Sequence, residues 1–146
     1  MKRYLIHGAR ILLGAIFFIQ GLNGFFNFMP MPEMPAEANG FLGALAATGY
    51  FFPMLKVTET LAGLMLLSNR WVPLALLMLA PVTVNIMAFH LFLAPLGLPI
   101  AVVVVALEAL LGYLHFDAFR AIFAMPGVVD RQMEEEAHPR PHIKAA

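Results

Sequence analysis

Seven side chains in this sequence are of types that an apolar helix has no use for: Gln20, Asn23, Lys56, Glu59, Asn85, His90 and Glu108. Each lies within a run of Ile, Leu, Val, Phe, Met and Ala. A charged group at the centre of a membrane-spanning helix costs roughly 2.5–3.5 kcal/mol on insertion scales, so it needs a partner, water or a function. Glu59, Glu108 and His90 are the candidate catalytic groups, able to hold or pass a proton. Lys56 and His90 can donate to a ligand oxygen, and the three amides can line a pocket or join helices. Spacing adds to this. Lys56 and Glu59 are three apart and share a helical face, with Thr60 one turn from Lys56. Gln20 and Asn23 are also three apart. Asn85 and His90 are five apart, about 140° around a helix, so they do not share a face. Glu108 has no charge on neighbouring turns. It meets Lys56 or His90 across a bundle, or it carries its own proton. The chain has no cysteine, which excludes thiol chemistry and thiolate metal sites in this chain alone. No metal site is expected; His138 and His142 read as residues of a solvated tail.

The elements that must position these groups are helices in lipid. Hydrophobic residues make up 61% of the chain and charged residues 12%, with a mean hydropathy of +0.80. An average soluble domain is about 45–50% apolar and about 25% charged. The 146 residues suffice for one domain, and a formal net charge of zero argues against a nucleic-acid partner. Spans of roughly 20 apolar residues are read at about 4–29, 53–69, 71–94 and 99–119, within a transmembrane domain over residues 1–124. The first resembles a signal peptide at its start, but its apolar run continues to Phe28 with no small-residue cleavage site, so it is expected to be a retained helix. Prolines at 30, 32 and 35 end it. Pro81, inside the third span, should kink it by freeing the Leu77 carbonyl. Residues 36–52 are too short to span and suit a short interfacial helix. The fold class is therefore all-α: an integral membrane four-helix bundle with a short interfacial helix between spans 1 and 2. Residues 125–146, with Glu134 to Glu136 and three prolines, read as a disordered cytoplasmic tail. Lys2, Arg3, Arg10, Arg70, Arg120, Arg131, Arg140 and Lys144 all fall on one side of these spans, and the opposite loops carry only Glu33 and Glu37. Both termini are expected to be cytoplasmic.

Depth ties the polar residues together. Counted from the prolines at the outer helix ends, Asn23, Glu59 and His90 lie roughly 8–10 Å into the bilayer and Lys56 about 5 Å. Gln20, Asn85 and Glu108 lie about 15 Å in. All fall in the outer half of a core about 30 Å thick, while the inner halves are nearly all apolar. A single polar pocket opening to the extracytoplasmic side is expected. Gly8, Gly14, Gly21 and Gly24 read as close-packing positions.

Three stretches carry a family resemblance. The run Ala9-Arg-Ile-Leu-Leu-Gly-Ala-Ile-Phe-Phe-Ile-Gln-Gly-Leu-Asn-Gly-Phe25 resembles the first helix of DoxX-like membrane proteins. Lys56-Val-Thr-Glu-Thr-Leu-Ala-Gly-Leu-Met-Leu-Leu-Ser-Asn-Arg-Trp-Val-Pro73 resembles their second helix and following turn. Pro81-Val-Thr-Val-Asn-Ile-Met-Ala-Phe-His-Leu91 is similar to their third. The resemblance covers nearly the whole chain except the tail; one departure is Gly24, where related sequences often carry a basic residue. It implies a four-helix protein of the bacterial inner membrane, with some members resembling subunits of thiosulfate:quinone oxidoreductases or redox-defence complexes. The function expected on that basis is a membrane subunit of a quinone-linked oxidoreductase or redox-defence complex. Quinone is the candidate cofactor, and membrane lipid, a soluble or membrane redox partner and a second copy of the chain are the candidate partners. In that role Phe25, Phe26, Phe51, Phe52 and Phe89 could pack the quinone ring. The alternatives are a non-catalytic lipid- or isoprenoid-binding or scaffold protein and, third, a proton-coupled transporter using Glu108 or Glu59. Against the transporter stand four spans with no internal repeat.

Overall fold

The computed structural model describes residues 2–30 and 32–123. Among these residues six α-helices run in chain order: α1 (Lys2–Phe26), α2 (Ala36–Ala47), α3 (Phe51–Leu67), α4 (Val72–Phe92), α5 (Leu98–Leu114) and α6 (Phe116–Phe123). A single 3-10 turn, Pro95–Gly97, leads into α5. The segments Tyr4–Phe26, Val72–Phe92 and Pro95–Leu114 are each long and apolar enough to cross a membrane. Helix α3, whose 17 residues make about 25 Å of helix, is bent 94° from α2, and the two together make a fourth candidate crossing. The protein is a multi-pass, all-α membrane bundle.

Each helix turns one stripe inward. Ala9, Leu13 and Phe17 are buried on α1; Glu59, Ala62 and Leu66 on α3; Ala75, Leu76, Leu79 and Thr83 on α4; Ala101, Val104, Glu108 and Leu111 on α5. Spacings of three and four put each set on one helical face. The outward faces are also apolar: Leu12, Val84, Ile100 and Val102 are all exposed. That pattern suits lipid, where burial in the protein offers an apolar side chain little beyond what acyl chains offer. The helices form a ring in chain order, α1 on α3, α3 on α4, α4 on α5 and α5 back on α1.

Glycine decides how closely α1 and α3 approach. A Cβ at Gly63 would lie 2.5 Å from the Phe18 backbone nitrogen and 2.9 Å from the Gly14 carbonyl oxygen. At Gly21 it would lie 2.6 Å from the Thr60 nitrogen. Backbone meets backbone here, so no side-chain rearrangement could make room. Gly14, Gly21 and Gly24 fulfil the expected packing role, whereas Gly8 faces open space.

The ends of the helices are built from local hydrogen bonds. After α3, the Asn69 N–H donates to the Leu66 carbonyl (3.2 Å) and the Arg70 N–H to the Met65 carbonyl (3.1 Å). Asn69 takes φ 57°. These are the paired bonds and left-handed residue of a Schellman termination, with asparagine in the position glycine usually fills. At the α2 end, the Thr48 hydroxyl donates to Leu45 O (2.6 Å) and accepts from Phe51 N–H (3.3 Å), and Gly49 turns the chain at φ 74°. The fold thereby carries the short helix expected between the first two spans, lying across the second.

Pro81 sits inside α4, which continues through it without a break. The last span, read from the sequence as reaching residue 119, divides at His115. There the His115 Nδ1 lies 2.9 Å from the Leu111 carbonyl oxygen, and its backbone leaves helical geometry at φ −106°, ψ 17°. Helix α6 follows, with Asp117 in its first turn and Arg120 in its last, each placed to suit the helix dipole. The expected tail, residues 125–146, lies outside the described residues.

Candidate polar site

Two of the anticipated residues form an ion pair. The Lys56 ammonium lies 2.7 Å from Glu59 Oε2, with the two side chains 21% and 6% exposed. The pair is one turn of α3, and α1 shapes its seat. Gly24 offers no side chain, and a Cβ there would run into the Lys56 stem, 2.9 Å from Cε and closer to Cγ and Cδ. One turn along, Gly21 backs onto Thr60, whose hydroxyl donates to the Lys56 carbonyl (2.7 Å). The two glycines of α1 thus match one turn of α3. Glycine at 24 leaves space for the basic residue of the neighbouring helix. The ammonium has three N–H donors and Glu59 engages one, so two remain for a ligand oxygen.

Glu108 is buried on the inward face of α5 and stands beside Thr83 of α4. Its Oε2 and the Thr83 hydroxyl oxygen are both buried without a hydrogen-bond partner among the described residues. Neither Lys56 nor His90 reaches Glu108: Lys56–Glu59 is the one ion pair among the described residues. The two groups stand close enough for the Thr83 hydroxyl to turn and donate to the carboxylate; left open, each would cost about 1–3 kcal/mol.

The other anticipated residues are engaged locally or exposed. His90 Nδ1 lies 3.1 Å from the Ala94 carbonyl oxygen, and its ring packs over Gly97 of the 3-10 turn and edge-on to Phe89. It closes the connection between α4 and α5. The Asn23 side-chain oxygen accepts from the Met29 N–H (2.7 Å) and secures the chain leaving α1. The Asn85 amide donates to the Pro81 carbonyl one turn back (2.9 Å) and is exposed, as is Gln20. Among the described residues, no three His, Asp or Glu side chains come together in a way that could hold a metal ion.

The family comparison bears on just this part of the chain. The DoxX family model matches residues 5–93, well over half of the sequence. The chain belongs to the DoxX family. No curated protein and no solved structure matches it. The DoxX match takes in α1, α2, α3 and α4, and with them Arg10, the Lys56–Glu59 pair and Thr83. It ends one residue past α4, so α5 and Glu108 lie beyond it, a narrower reach than the near-complete resemblance read from the sequence.

Two polar residues of this DoxX chain escaped sequence reasoning as site neighbours. Arg10 counted there only as a basic residue near the membrane surface. It is 7% exposed and its Nη1 donates to the Leu66 carbonyl and to the Leu67 carbonyl (3.1 Å). It caps the C-terminus of α3 from α1, adding a second donor at the Leu66 carbonyl, which also accepts from Asn69, reaching the Leu67 carbonyl, and opposing the negative end of the helix dipole. Its place two turns inside the first span was the available signal. Thr83 has no such signal, because a lone threonine is unremarkable in an apolar helix.

Proposed function

We propose that this DoxX protein is the membrane subunit of a quinone-linked redox system, with the quinone headgroup held at the Lys56–Glu59 pair. The observation that carries this reading is the ammonium held within 2.7 Å of Glu59 yet still 21% exposed, with two N–H donors to offer a carbonyl oxygen. A quinone supplies a two-electron, two-proton acceptor. Lys56 binds and orients its oxygen, and Glu59 holds the ammonium in place and takes or gives a proton there. Glu108, with an open carboxylate oxygen beside Thr83, is a second group able to hold a proton inside the bundle. Phe51 and Phe52, packed edge to face at the start of α3 (centroids 5.8 Å apart), supply aromatic surface near the pair. The chain has no cysteine, so the electrons are delivered by a partner. The bias of Lys and Arg toward one set of connections in the sequence supports cytoplasmic termini in a bacterial inner membrane, with the Lys56 end of α3 toward the outside.

The test is a titration of a short-chain ubiquinone analogue into detergent-purified wild type, Lys56→Met and Glu59→Gln. Wild type should bind, and both variants should weaken binding about tenfold or more, the loss of a charge-assisted hydrogen bond. Equal affinity in all three would refute the site. It would favour a second reading, a structural ion pair in a scaffold protein, which the close fit of Lys56 against Gly24 supports. That reading predicts that both variants lose thermal stability and leave partner binding intact.

A further inference from the structure

At the end of the bundle away from the Lys56–Glu59 pair, α3 and α4 enclose an open groove of about 480 Å³. Leu61, Leu64, Leu74 and Met78 form its walls, and Arg70 and Trp71 stand at its polar end. Leu61, Leu64 and Leu74 are about half exposed and Trp71 is 69% exposed, so the groove faces lipid rather than the interior. Leu61 precedes Arg70 by six residues of α3 and the turn after it, which gives roughly 10 Å of apolar wall below the charged mouth.

The mouth is electropositive for three separable reasons. Arg70 has no acidic partner among the described residues. Its guanidinium lies over the Trp71 ring, 5.9 Å from the centroid, and that stacking leaves the N–H fork free for a phosphate. The first turn of α4 begins there with the positive end of a 21-residue helix; Val72 and Leu74 N–H have no helical acceptor, and Pro73 has no N–H to offer. The opposing negative end of α3 is covered, by Arg10 at the Leu66 and Leu67 carbonyls and by the backbone N–H groups of Asn69 and Arg70. Trp71 is held at φ 54°, ψ 38°, a left-handed conformation that a bulky residue adopts only at a cost. Indole beside arginine at a membrane boundary is the pairing suited to a lipid headgroup.

We propose that this groove seats one anionic phospholipid. Its phosphate lies on Arg70 and the start of α4, and an acyl chain follows Leu61, Leu64, Leu74 and Met78. The site is independent of the quinone reading, being on the outside of the bundle and at its other end.

Native mass spectrometry of the full-length protein, offered equal phosphatidylglycerol and phosphatidylcholine with matched acyl chains, tests it. Wild type should retain one phosphatidylglycerol in preference to phosphatidylcholine, and Arg70→Gln should reduce that preference about tenfold. Arg120→Gln should leave it unchanged. Leu64→Trp, on an exposed position that does not support the core, should fill the groove and displace both lipids. Equal retention of the two lipids by wild type would overturn the proposal, as would a preference that survives Arg70→Gln or falls with Arg120→Gln. A dimer that Leu64→Trp disperses, with no lipid preference, would assign the groove to a second copy of the chain and equally overturn it.

Discussion

The α1–α3 pair and the α4–α5 pair solve the problem of polar groups in lipid in opposite ways. Between α1 and α3 the backbones touch at Gly63 and Gly21, and most polar groups there find partners, the buried Arg10 Nε being the one left open among the described residues. Arg10 takes two carbonyls, Lys56 takes Glu59, and Thr60 takes the Lys56 carbonyl. Between α4 and α5 the buried faces are Ala, Leu and Val, and the two polar groups that enter, Thr83 and Glu108, end with open oxygens. The first pair is a clamp whose bonds are made on folding. The second keeps hydrogen-bonding capacity in reserve. A buried polar group without a partner is retained against its own cost, which makes the unpaired side the one that must be explained by something beyond stability.

Substitution can break or sharpen this contrast. The largest effect is expected at Gly63→Leu, which drives a side chain into the Phe18 backbone; destabilisation of about 3 kcal/mol, the upper end for overpacking, should appear as a steep fall in melting temperature and in monodisperse yield. Arg10→Met should cost about 2 kcal/mol, the scale of a charged hydrogen bond left unmade, and hydrogen exchange should rise selectively around Ser68 to Arg70. Lys56→Met should cost about 2 kcal/mol, less than the 3–5 of a broken, fully buried pair because Lys56 keeps a fifth of its surface exposed; a double-mutant cycle with Glu59→Gln should recover most of that cost. Across the bundle the effect is smaller. Thr83→Val should change stability by no more than about 1 kcal/mol, since its hydroxyl stands beside Glu108 without a well-formed hydrogen bond. If Thr83→Val proved as harmful as Arg10→Met, the α4–α5 pair would be bonded in the way α1–α3 is, and the contrast would fall. Smallest of all, Asn85→Ala and Gln20→Ala should stay within about 0.5 kcal/mol, because neither side chain is buried.

The all-α membrane bundle and the short helix ahead of α3 were legible because each rests on composition and on backbone chemistry that proline dictates. So was the Lys56–Glu59 pair, since three-residue spacing on a helix places side chains together whatever surrounds them. What the sequence did not disclose is the partner of any group across the bundle. Depth alone put Gln20, Asn23, Asn85 and His90 beside the charged residues, but depth says nothing of rotation about the helix axis. Asn23, Asn85 and His90 instead bond carbonyls or N–H groups within six residues of themselves, a local competition that short polar side chains and histidine carry on at helix ends and turns. Arg10 was hidden for the converse reason: its partners are backbone carbonyls 56 and 57 positions away, and carbonyls have no letter in a sequence.

The most direct test of the central claim is mass spectrometry of what the protein carries out of the membrane in mild detergent, compared between wild type and Glu59→Gln. A quinone present with wild type and missing from an equally folded Glu59→Gln is the predicted result. The same partner protein in both samples, with no quinone in either, would contradict it and leave the Lys56–Glu59 pair a structural ion pair of α3 seated against Gly24 of α1.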